Sequence, residues 1–196
     1  MESGKEEESL FLAQALLRSA PDYLEARQLA RQAAQALFSK RKQKAPAILF
    51  IKIKACLVML QAQLLMRKKD FPKALILLEQ LLGELPSFVP AHHLIAKVAL
   101  KSTPSHCELA LQALEEMVSL QPKNISFHLE LARAALLSEP SGTAWQPRRA
   151  IEAYQHILSI NPHHLEARAG LKNAEALFFI KEDGWSSAKT YRDVLR

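Results

Sequence analysis

Residues 74–86, ALILLEQLLGELP, recur in outline at 110–122, ALQALEEMVSLQP, and at 150–162, AIEAYQHILSINP. Ala74, Leu78, Leu81 and Pro86 align with Ala110, Leu114, Met117 and Pro122, and again with Ala150, Tyr154, Ile157 and Pro162. Residues four and seven apart share one helix face, so each stretch reads as the buried side of a helix. The proline ends that helix, because it cannot continue one and biases the preceding residue toward extended backbone. Nine residues past each proline stands Ile95, Leu131 or Leu171, and the first two are followed at once by Ala96 and Ala132. Each unit is thus expected to be an antiparallel helical hairpin.

This pattern resembles the tetratricopeptide repeat, which joins two antiparallel helices with small residues where they cross and a proline near the end of the second. The resemblance covers roughly residues 55–196 and implies an all-α fold, a right-handed superhelix of antiparallel hairpins. The period is longer than the family's usual ~34 residues. Ala62 to Ala74 spans 12 residues, Ala96 to Ala110 spans 14 and Ala132 to Ala150 spans 18, while the spacing from proline to next helix stays constant. Extra residues therefore fall in the turn inside a hairpin, at Ser102–Ser105 and at Ser138–Pro147, where Ser, Thr, Pro and Gly supply turn chemistry.

Several positions depart from the family pattern. Gln61 replaces the branched apolar residue of the first unit, Lys172 replaces a small residue in the last, and Val58, His92, His128 and Arg168 stand where a large aromatic is usual. At the other end Asp22, Tyr23 and Ala26 echo Asp70, Phe71 and Ala74, giving a further hairpin from Leu10 to about Lys42 whose link to the next unit is 14 residues too long. The expected organisation is an acidic disordered tail at 1–9, a degenerate hairpin with a basic connector at 10–54, and an array at 55–196 in units 55–88, 89–124, 125–164 and 165–196.

Composition agrees with helices: of 196 residues 49% are apolar but only 7% aromatic, and there are five glycines. Cys56 and Cys107 have no partners at zinc-finger spacing and make no disulfide framework, which fits a reducing compartment such as the cytoplasm, or the nucleus of a eukaryote. The acidic start is unlike a signal peptide, and the most apolar stretch, 45–66, is interrupted by Lys52 and Lys54, so no transmembrane segment is expected. The net charge of +6 is uneven: residues 1–17 sum to −3, 18–73 to +10 and 74–196 to −1. Lys40, Arg41, Lys42 and Lys44 form the densest cluster, with Arg67, Lys68 and Lys69 next. Cations at a helix end are favoured by its dipole, and the first cluster is also a candidate contact for an anionic surface.

If the first helices line a concave face, the i, i+4, i+7 stripe beside the packing face meets the ligand. The stripes are Met59, Gln63 and Met66; His93, Lys97 and Leu100, with Lys101 beside them; Leu129, Arg133 and Leu136; and Ala169, Asn173 and Ala176. Their middle positions all carry hydrogen-bonding groups, flanked by apolar or small residues, which suits a peptide or helix segment of a partner protein offering carbonyls, carboxylates and apolar anchors. The competing assignment makes the apolar members inter-repeat core. The carboxylate clamp of some family members is not matched, since Gln63 lacks the accompanying lysine and asparagine and Glu130 stands where a cation is wanted. The related RNA-binding hairpin repeat lacks the recurring proline.

No enzyme, cofactor or metal signature emerges. His92–His93 and His163–His164 are adjacent rather than one turn apart, and His106–Cys107 has no third ligand in sequence. Ser186 and Lys189 have the spacing of a serine–lysine nucleophile pair without its companion motifs. The expected functions are a protein-binding adaptor, scaffold or chaperone, or alternatively a binder of nucleic acid or an anionic surface, or a self-assembling scaffold. Four consecutive large apolar residues, Leu177 to Ile180, cannot all face one hairpin interior, so the C-terminal hairpin is a candidate for self-association.

Overall fold

The computed structural model describes residues 2–20, 23–40, 45–102, 106–137 and 146–182, and their side chains except those of 2–4, 45–52 and 180–182. These residues form nine α-helices and no strand. In order they are α1 (Glu2–Ser19), α2 (Leu24–Lys40), α3 (Ala45–Arg67), α4 (Phe71–Glu84), α5 (Val89–Ser102), α6 (Cys107–Leu120), α7 (Ile125–Leu136), α8 (Pro147–Ile160) and α9 (Leu165–Glu182). The chain divides into two compact units, Met1–Ala113 and Leu114–Arg196, with the division inside α6.

Around each of the three aligned prolines the backbone repeats the same two hydrogen bonds. Leu85, Gln121 and Asn161 donate to the carbonyls of Leu81, Met117 and Ile157 at 2.8, 3.0 and 2.8 Å. Phe88, Asn124 and His164 then donate to Leu85, Gln121 and Asn161 at 3.1, 3.0 and 3.1 Å, so α4, α6 and α8 each end two residues before their proline. The small residues Ala62, Ala74, Ala96, Ala110, Ala132 and Ala150 are all buried, as the repeat requires where helices cross closely. Helix ends also place the inserted residues as expected, between α5 and α6 and between α7 and α8, although residues 103–105 and 138–145 lie outside the described set.

In the first unit α1 packs along α2, α3 along α4, and α4 along α5. Ala13 and Leu17 of α1 meet Ala26 and Ala30 of α2 in a small core. This hairpin rests on α4, which receives both α1 and α2. Two expectations are corrected here. Residues 2–9, read as a disordered tail, belong to α1, where Glu6 ion-pairs with Lys40 at 2.8 Å and acidic residues suit a helix N-terminus. The segment read as a basic connector is helical from Ala45 onward, so α3 is 23 residues long and takes up the excess link length.

The turn from α3 to α4 is closed by Lys69, whose φ of 62° is the left-handed conformation common just past a helix end. Asp70 then caps α4, its carboxylate accepting from the Lys73 backbone N–H at 3.4 Å and from the Lys73 ammonium at 2.7 Å. In the second unit α7 packs along α8 and α8 along α9. Lys172 is exposed, and the buried alanines of α9 are Ala167 and Ala174. Gly170 lies under the buried ring of Tyr154, which fills the place held by Leu78 and Leu114 in the other repeats.

Candidate interaction surfaces

None of the twelve stripe residues is fully buried, and the apolar members Met59, Met66, Leu129 and Leu136 are half-buried. In the first unit Gln63, Lys97, Leu100 and Lys101 are exposed, and Met59, Met66 and His93 are half-buried. In the second unit Arg133, Ala169, Asn173 and Ala176 are exposed, and Leu129 and Leu136 are half-buried. The four middle residues, Gln63, Lys97, Arg133 and Asn173, each stand in solvent directly beside a buried alanine: Ala62, Ala96, Ala132 and Ala174.

Arg133 is already engaged. Its guanidinium donates through both Nε, at 3.1 Å, and a terminal nitrogen to Glu166 Oε1, tying α7 to α9. That carboxylate holds the Arg133 group still more firmly in its charged form. Burial is the main cause that raises the Tyr154 phenol above its ordinary value, with Glu166 adding to it and Arg133 opposing. Beside Ala169, an open depression of about 490 Å³ is lined by Leu165, Arg168 and Lys172. The strip on the second unit is therefore cationic around an internal ion pair.

Of the basic cluster before α3, Lys40 is the member within the described residues. Lys40 is bound to both carboxylate oxygens of Glu6 at 2.8 and 2.9 Å, and Arg41, Lys42 and Lys44 lie outside the described residues. Of the C-terminal residues, Phe178 is half-buried and meets exposed Phe179 edge to face, with centroids 6.4 Å apart. Residues 183–196, with Ser186 and Lys189, lie outside the described residues.

His92 and His128 each tie a helix start to the preceding turn. His92 Nε2–H donates to the Pro86 carbonyl at 2.8 Å, and His128 Nε2–H donates to the Pro122 carbonyl at 2.8 Å. A carbonyl only accepts, so the ring nitrogen must carry the proton in both cases. On α8, His156 stacks on His128 with centroids 4.1 Å apart and planes 13° apart. Among the described residues no group of three or more His, Cys, Asp or Glu is placed to hold a metal ion, and no helix is long and apolar enough to cross a membrane.

Two features escaped the sequence reading. Glu79 of α4 is buried between Arg27 and Arg31 of α2, at 3.1 and 2.7 Å, with all three side chains withdrawn from solvent. The arginines share a helix face with Ala26, Ala30, Ala33, Ala34 and Leu37, all buried, so charges inside an apolar stripe were the available signal. The second feature is apolar surface: Phe11, Leu12 and Leu16 on α1, and Ile53, Leu57, Leu60 and Leu64 on α3, are large hydrophobic residues left exposed.

Compared with known protein families, the chain matches no family model, and no curated protein is significantly similar to it in sequence.

Proposed function

We propose that the protein is a protein-binding module of the adaptor, scaffold or chaperone kind, its hairpins belonging to a right-handed tetratricopeptide-like superhelix whose first helices carry the partner segment. The observation that carries this reading is the exposure of Gln63, Lys97, Arg133 and Asn173 at one repeated position, each beside a buried alanine. The recurrence of a hydrogen-bonding, solvent-facing residue at that position in every unit supports the reading. The neighbouring Met59, Met66, Leu129 and Leu136, half-buried, offer apolar anchorage. A partner with carboxylates or free carbonyls spaced between apolar side chains complements such a strip.

The test is quantitative capture of partners from a lysate of cells that express the protein, comparing the parent with a Lys97→Glu/Arg133→Glu double variant. Loss of the same captured proteins from the variant, at unchanged helicity and in moderate salt, supports the reading. Unchanged capture overturns it. Capture that collapses between low and moderate salt and carries nucleic acid points instead to phosphate contacts, whose affinity falls steeply with ionic strength.

A further inference from the structure

The α1–α2 hairpin rests on α4, and among the described residues no helix covers the side of α3 that carries its exposed apolar residues. That side carries Ile53, Leu57, Leu60 and Leu64, exposed by 54%, 59%, 56% and 46%. Their spacing of four, three and four is the seam spacing of a helix that pairs with another helix. The buried side of α3, with Ala55 and Ala62, faces α4, so the seam looks away from its own unit. No Asp or Glu occurs anywhere in α3; Lys54 is ion-paired with Glu84 of α4, and the exposed cations at the end of the seam are Arg67 and Lys68.

Helix α1 supplies the complementary face. Phe11, Leu12 and Leu16 are exposed by 69%, 60% and 49%, although Ala13 and Leu17 on its other side are core. The charge before this apolar patch is acidic, with Glu7 and Glu8 exposed against Lys5. Laid antiparallel, such a helix brings Glu7 and Glu8 toward Arg67 and Lys68, Leu12 toward Leu64, and Leu16 toward Leu60 and Leu57. A second α3 offers Arg67 and Lys68 no acidic partner, since the helix contains none, whereas α1 offers them Glu7 and Glu8.

We infer that the occupant of the α3 seam is a second copy of this chain, with α1 of each protomer laid on α3 of the other. The seven exposed apolar side chains together present on the order of 700 Å², so one such contact alone falls short of the ~1,200–2,000 Å² that stable complexes bury, and the reciprocal pair reaches it. The two-fold arrangement also closes, leaving no unsatisfied face to propagate a fibre. This inference stands apart from the partner strip, whose residues it does not use.

Sedimentation velocity of the full chain reads the result directly. The parent is expected to be a dimer, and Leu57→Glu and Leu12→Glu, both at exposed positions, are each expected to sediment as monomers with unchanged circular dichroism. Mixing these two variants restores one of the two contacts, α1 of the Leu57→Glu protomer on α3 of the Leu12→Glu protomer, so the mixture is expected to associate only weakly, at protein concentrations well above those at which the parent dimerises. The charge pair gives a second handle that leaves the apolar seam alone. A Glu7→Lys/Glu8→Lys variant and an Arg67→Glu/Lys68→Glu variant should each weaken the dimer, and a chain carrying all four changes should regain it. A monomeric parent or a dimer indifferent to Leu12→Glu overturns the inference, the latter in favour of α3 pairing with itself. Flotation of a monomeric parent with phosphatidylserine-containing vesicles, or with neither vesicles nor itself, overturns it as well.

Discussion

The Nε2–H of His92 donates to the carbonyl of Pro86 at 2.8 Å, and His128 repeats the bond to Pro122 one unit later. The histidine six residues after the proline thus holds the start of the next helix to the turn before it, at a position where the sequence read as a departure from the repeat. The two bonds differ in surroundings, since Pro86 is buried and Pro122 is exposed. Replacing His92 by Phe keeps a ring but strands a buried carbonyl, at a cost of about 1–3 kcal/mol. The same change at His128 leaves a carbonyl that water can reach and should cost less. Urea unfolding of the two single variants gives the comparison, and equal losses would show that the ring volume, not the hydrogen bond, is what matters.

Burial lowers the basicity of His128, and neighbouring His156 acts in the same direction against the opposing bond to Pro122. Its folded pKa therefore lies below the unfolded value of about 6.5. Above that value the ring is neutral in both states and contributes no pH dependence. As pH falls through it, the unfolded chain takes up the proton first, so stability declines until the folded pKa is also passed. Thermal melts between neutral and mildly acidic pH should show a falling Tm for the parent, with a shallower fall for His128→Gln. A parent Tm that rises on acidification contradicts the sign.

Glu79 between Arg27 and Arg31 fixes where the first hairpin sits on α4. A buried ion group of this kind gains little over apolar packing, because desolvation offsets attraction, but removing one member leaves charge stranded. Glu79→Gln is expected to destabilise the fold by about 3–5 kcal/mol. The triple change Arg27→Met, Arg31→Leu, Glu79→Leu should recover most of that. Hydrogen exchange at α1 and α2 is the informative readout, since loss of protection there ahead of α4 and α5 would locate the effect in the hairpin's docking.

Local rules made the repeat legible. Prolines end α4, α6 and α8, alanines mark the crossings, and loop residues accumulate where hairpins turn, all because these choices act within a few residues of each other. The N-terminal region was less legible because its arrangement depends on tertiary contacts. An excess of basic residues from 18 to 73 masks the fact that two arginines are interior, and the run Glu6–Glu8 reads as a solvated tail because the partner of Glu6, Lys40, is 34 residues away. The candidate strip was partly legible: periodicity located its polar members, but it did not reveal that Arg133 is committed to Glu166. The seam on α3 was hidden because an exposed apolar stripe and a buried one have the same sequence period.

Gly170 sits mid-helix in α9, where an alanine would normally stabilise by about 0.8–1.0 kcal/mol. Space decides against it. A Cβ at this position would lie 2.6 Å from Tyr154 Cε1 and 2.8 Å from its hydroxyl oxygen, far inside van der Waals contact. Tyr154 is itself buried on α8, so the ring has no open direction in which to swing, and α8 and α9 would have to separate. Overpacking of this kind costs about 1–3 kcal/mol, which exceeds the propensity gain. Gly170→Ala is therefore expected to lower the stability of the second unit, and Tyr154→Leu, the residue type at the matching position of the other two repeats, should relieve the clash. Chemical unfolding of the two single variants and the double variant forms the cycle: a double variant more stable than Gly170→Ala alone supports the steric account, whereas a stabilising Gly170→Ala on its own would show that the helices yield and propensity wins.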